Sequence, residues 1–165
     1  MADEGLSAYS KRELARVAKA FSLMGDEAVS EAKNVAGDLA SFAANEIKSA
    51  ARGRTKAARA VQAVADGAKV SKSSKTGRID IGFASQRLSG GGNTQKLWGG
   101  LEFGSSLKLR KSGRLVKYNQ FPDYSGRYGK GSRGWFIYPT LRRIQPELTK
   151  KWEDAADSII KKWTA

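Results

Sequence analysis

Apolar residues recur at three- and four-residue spacing through Leu14, Val17, Ala18 and Phe21, and Ser10 with Glu13 makes a capping-box signature just ahead of them. This pattern predicts a helix beginning at Ser10. Met24-Gly25-Asp26-Glu27 interrupts it, since Gly suits a helix end and Asp an N-cap. The period resumes through Ala28, Ala32, Val35, Leu39, Phe42 and Ile47, a face whose alanines let neighbouring backbones approach closely. Arg52-Gly53-Arg54 ends that run. Thr55 is then placed to cap a short third helix carrying Ala57, Ala60, Val61 and Val64. Residues 1–66 read as a helical arm.

After Gly67 the period changes to two. The stretch AKVSKSSKTGRIDIGFAS alternates, with Ser-Lys-Thr-Gly as its turn, and predicts an antiparallel pair that sets Val70 against Ile79, Ile81 and Phe83. Residues 89–95, SGGGNTQ, read as a flexible loop. LWGGLEFGSS reads as a glycine turn into a strand holding Leu101, Glu102 and Phe103. Residues 105–133 hold Lys, Arg, Gly and Tyr with little periodicity, the mark of a long functional or disordered connection. GWFIYPT, residues 134–140, then reads as a strand feeding a last helix. Leu141, Ile144, Leu148, Trp152, Ala155, Ile159 and Trp163 mark one face of that helix, with Pro146 either starting or kinking it. The expected fold is α+β, a single domain over residues 1–165. Long N-terminal helices and a C-terminal helix would pack on a small antiparallel sheet, with 67–104 as hairpin and strand, 105–133 as a basic loop and 134–165 as strand and helix.

Charge sharpens this picture. The net charge is +14, and residues 67–138 carry 14 basic and three acidic side chains, net +11, between two nearly balanced segments. A concentrated field of that kind faces a polyanion or an acidic partner, or else serves solubility alone. No apolar run approaches the roughly 20 residues of a membrane span, and the Met-Ala-Asp-Glu-Gly start is unlike a secretory signal.

Candidate chemistry is sparse. The chain has no cysteine and no histidine, which removes disulfides, thiolate chemistry, the usual general base and the commonest metal ligand. The glycines at 90–92 and 99–100 match neither a P-loop nor a dinucleotide-binding loop. Asp80, Glu102 and Asp123 are the carboxylates of the basic middle. Glu102, between Leu101 and Phe103, reads as an ion pair fixing a strand end in preference to a catalytic acid. No enzyme activity and no cofactor are expected. YNQFPDYSGRYGKGSRGWFIY interleaves cations with aromatic rings. That composition suits stacking on single-stranded nucleic acid, and equally a protein interface. Trp152 and Trp163 read as core, with a helix-in-groove docking face as the alternative.

Taken in order, the segments resemble the tail-completion (head–tail joining) proteins of long-tailed bacteriophages, especially those of actinobacterial hosts. The resemblance rests on the Ala-rich helices, on Glu102-Phe103-Gly104, and on Trp135-Phe136-Ile137-Tyr138-Pro139-Thr140-Leu141 opening the last helix. It covers about residues 8–164 and departs in the length and charge of 105–133. It implies a virion neck protein, assembled in the bacterial host cytoplasm, that forms a homo-oligomeric ring of six. Its partners would be the head-closure or connector proteins and the tail tube or terminator, with transient contact to genomic DNA in the channel and no membrane. Lys108, Arg110, Lys111, Arg114, Lys117, Tyr118, Phe121, Tyr124, Trp135 and Tyr138 are the expected interface residues. On this reading Trp135–Tyr138 form an edge strand, one face in the core and the other toward a neighbour. A small basic nucleic-acid-binding protein using residues 105–138 is the alternative.

Overall fold

The computed structural model of the chain describes residues 10–55, 57–71, 80–88, 90–104, 108–109, 115–116 and 134–164. The predicted capping box is present at Ser10. Its Oγ accepts from the Glu13 amide at 3.3 Å, and its own amide donates to Glu13 Oε2 at 2.7 Å, opening helix α1 (Lys11–Met24). Gly25, at φ 104, breaks the chain before helix α2 (Asp26–Arg52). Helix α3 (Ala58–Asp66) follows, and it starts from Ala57 in the left-handed region with no side-chain cap, so Thr55 does not cap it. Strands β1 (Ala68–Ser71) and β2 (Asp80–Phe83) are neighbours in one two-stranded ladder. The Ser-Lys-Thr-Gly turn and Ile79 lie outside the described residues. Helix α4 (Thr94–Phe103) comes next, then β3 (Lys108–Leu109) and β4 (Leu115–Val116), paired antiparallel with Lys108 opposite Val116. Helix α5 (Ile137–Thr164) closes the chain and runs through Pro146.

The α+β expectation is overturned. The structure is mostly helical, with five helices and only two short strand pairs among the described residues, and the helices have no antiparallel sheet to pack on. Two segments account for the difference. Residues 97–103, expected as turn and strand, lie in α4, because Asn93 caps it: its Oδ1 accepts from the Gln95 amide at 2.8 Å. Two interior glycines cost a helix roughly 1 kcal/mol each, and burial of Leu101 helps to offset that. Residues 135–138, expected as an edge strand, bend into the first turn of α5, for a reason that lies in the site described below. The segment 89–95 is likewise no open loop where described. Thr94 is fully buried, its Oγ1 donates to Ala84 O at 2.6 Å, and Leu88 and Gly92 are joined backbone to backbone at 2.8 Å.

The chain divides into two compact units. One comprises residues 1–44, 70–82 and 141–165, and the other 45–69 and 83–140. In the first, the alanine face of α2 lies in a core with Phe21, Leu39, Trp152 and Ile159, while Val17, Leu148 and Trp163 pack against it half-buried. The small alanine side chains permit this close helix packing. The predicted stripe of α5 is thus core, but it meets helices and not a sheet. In the second unit α3 packs on α4, burying Val61, Val64, Ala65 and Leu101.

Candidate functional site

Glu102 is fully buried near the end of α4, and its carboxylate closes over the start of α5. Oε2 accepts from the amides of Phe136 at 3.0 Å and Ile137 at 2.9 Å, and Oε1 accepts from Tyr138 at 2.8 Å. The first amides of a helix have no partner inside it, and the N-terminal end of its dipole is positive. One carboxylate answers both needs. Pro139 follows in the first turn, where its missing N–H removes no helical bond. With this capping the chain bends at Trp135 and Phe136 and enters helix at Ile137. Among the described residues Glu102 is in no ion pair, and its full burial closes it to a substrate: what its described contacts make of it is a buried clasp.

Glycines flank the clasp on both sides of the basic segment. Gly104 has φ 74 and Gly134 φ 128, conformations that side chains rarely adopt. A Cβ at Gly134 would collide with Glu102 Oε1 and lie 2.8 Å from both Pro139 Cδ and Tyr138 Cβ. The carboxylate can approach the backbone only because nothing is there. Phe136 and Ile137 are buried behind it.

A chain of rings extends from this point. Phe83 stacks on Trp98 with centroids 5.9 Å apart, Trp98 meets Phe103 at 6.2 Å, and Phe103 meets Tyr138 at 5.2 Å. Phe103 is 40% exposed, so the string reaches solvent through it. The Arg54 guanidinium sits 4.8 Å from the centre of the Trp135 ring. Trp135 and Tyr138 thus remain half-buried aromatic positions, but on a helix start and not on the two faces of an edge strand. Of the other expected interface residues, Lys108 lies in β3, and Arg110, Lys111, Arg114, Lys117, Tyr118, Phe121 and Tyr124 lie outside the described residues. Arg54, Phe83, Trp98 and Phe103 were not foreseen. Arg54 and Trp135, Phe83 and Trp98, and Phe103 and Tyr138 meet across 15 or more residues of chain, and only an Arg beside a helix end and an aromatic next to Glu102 hinted at them.

The first unit holds a separate apolar groove of about 210 Å³ between α1 and α5. Leu14, Val17 and Phe21 line it from α1, and Trp152, Ala156 and Ile160 from α5, with the carboxylates of Glu153 and Asp157 among the lining. Among the described residues, no group of three or more His, Cys, Asp or Glu could hold a metal ion, and no helix is long and apolar enough to cross a membrane. The chain matches no protein-family model, no curated protein and no solved structure.

Proposed function

We propose that this chain is a structural subunit of a long-tailed bacteriophage neck, a homo-oligomeric ring component that joins the capsid connector to the tail, and has no catalytic role. The observation that carries the reading is the Glu102 clasp. Glu102-Phe103-Gly104 and Trp135–Leu141, two of the segments on which the resemblance rests, are tied together by three hydrogen bonds. The basic segment is thereby held at both ends, between Gly104 and Gly134. A fixed base under a long cationic, aromatic-rich segment suits presentation to a partner, since binding groups are commonly carried on loops that a rigid scaffold positions. The basic residues would meet acidic surfaces of an adjacent ring or tube protein. DNA in the channel is the less suited partner, because each phosphate contact adds affinity that rapid passage must undo.

The test is assembly of virions. Without the chain, filled heads and complete tails should accumulate unjoined, and restoring it should restore joining. Replacing Arg110, Lys111 and Arg114 together by Ser should block joining while the subunit stays folded. Normal joining with altered DNA retention or ejection would turn the segment toward DNA. Oligonucleotide binding that falls steeply with salt, in a chain with no role in joining, would favour the nucleic-acid-binding alternative.

A further inference from the structure

We propose that the α1/α5 groove is the acceptor half of the contact between adjacent copies, and that residues 117–128 of a second copy are its occupant. The inference rests on the neck-ring reading and specifies how the ring closes. Three observations lead to it. The groove's floor is apolar, with Val17, Phe21, Trp152 and Ala156, and its volume of about 210 Å³ equals about seven waters, room for an aromatic side chain and too little for a helix. The charged side chains lining it, Glu153 and Asp157, are both acidic. Residues 117–128 supply the complement twice, as Lys117-Tyr118 and Arg127-Tyr128, each a ring with a cation beside it.

A tyrosine ring buried on Trp152 and Phe21 would provide the apolar anchor, and the neighbouring cation would meet the carboxylates at the rim. The chain carries both halves, groove and segment, and they are different surfaces. Such a contact is heterologous: each copy gives its segment to one neighbour and its groove to the other. Repetition then closes a ring or propagates a filament, whereas a two-fold contact would stop at a dimer.

The experiment follows full-length protein by sedimentation velocity over a concentration series. Ala156→Trp fills the groove, and Asp157→Lys reverses a charge at an exposed rim position, so one groove variant remains informative if the other misfolds. Tyr118→Ser with Tyr128→Ser disables the segment. Each variant should weaken self-association at least about tenfold with helical content unchanged. The decisive sample mixes Ala156→Trp chains with Tyr118→Ser/Tyr128→Ser chains. Only one intact groove and one intact segment remain per pair, so the mixture should form a 1:1 dimer and nothing larger. Groove variants that assemble like wild type would overturn this inference while rings still form, leaving the neck reading standing. A wild type that is monomeric at every concentration also overturns it, and the virion experiment then judges the neck reading separately.

Discussion

Glu102 accepts a hydrogen bond from the amide of Ile137 at 2.9 Å, across 35 residues of chain. With the bonds from Phe136 and Tyr138 it leaves none of the three amides bare. Removing the carboxylate strands them in a buried site, and each unsatisfied buried donor costs about 1–3 kcal/mol. Glu102→Ala should therefore destabilise by at least about 3 kcal/mol in urea unfolding. Glu102→Gln keeps one acceptor oxygen but turns an NH₂ toward an amide, so its loss should be smaller but clear. Equal stability of Glu102→Gln and wild type would mean that charge at the helix start contributes nothing.

Gly134→Ala attacks the same clasp from the other side. The new methyl would be held at φ 128 and driven into Glu102 Oε1. Positive-φ strain alone is of order 1–3 kcal/mol, and the collision adds to it. Because both changes break one contact, the double variant with Glu102→Ala should lose less than the two single losses together. Strict additivity in a double-mutant cycle would show that the two positions do not share an interaction.

How far the chain could be read in advance follows the range of the interactions. The Ser10–Glu13 box, the Gly25 break and the α5 stripe depend on residues a few positions apart, and each stands where the pattern put it. The start of α5 does not. Trp135–Tyr138 have the local character of a strand, yet the chain bends at 135–136 and starts its helix at Ile137, where a carboxylate from Glu102, 34 to 36 positions away, caps it. The turn and strand expected at LWGGLEFGSS fail for a different reason: Gly99 and Gly100 suggest a turn, and a reading of 89–95 as loop passes over the cap at Asn93, a contact only two residues long. The expected sheet was lost with these two segments. For the candidate site, Glu102 stood out as a carboxylate between two apolar residues, yet its role could not be read without its partners.

Acid should loosen the first unit at an identifiable contact. Glu31 Oε2 accepts from Lys162 Nζ at 2.9 Å and from Trp163 Nε1 at 3.2 Å, tying α2 to the end of α5. The bond from Lys162, and then that from Trp163, hold the Glu31 carboxyl below its ordinary value of 4.5. A depressed folded-state value stabilises the fold above the unfolded value, and the stabilisation disappears as pH falls through the folded one. Glu13, held down by its hydrogen bonds with Ser10, acts with the same sign. Melting temperature should therefore fall as the pH drops below 4.5, and Glu31→Gln should show a shallower fall than wild type. Parallel curves for the two proteins would remove Glu31 from the account.

The core of the first unit turns on Trp152. Its ring meets Phe21 edge-on, centroids 6.3 Å apart at 85°, within the cluster that holds Ala28, Ala32, Leu39 and Ile159. Edge-to-face geometry sets the positive rim of one ring against the negative face of the other, adding to the area that both bury. Trp152→Ala would leave a large void in this cluster, which the surrounding helices can fill only in part. The expected loss is about 3–5 kcal/mol. Leu23 is the matched control: it is 79% exposed, so Leu23→Ser should shift stability by no more than about 0.5 kcal/mol although it too removes a large apolar side chain from a helix. Because Trp152 also floors the α1/α5 groove, its loss should weaken self-association as well, whereas Leu23→Ser should leave that unchanged. Thermal melts and sedimentation of the two variants side by side separate the roles. A Trp152→Ala protein that melts within a degree or two of wild type would mean that the stripe on α5 does not hold these helices together.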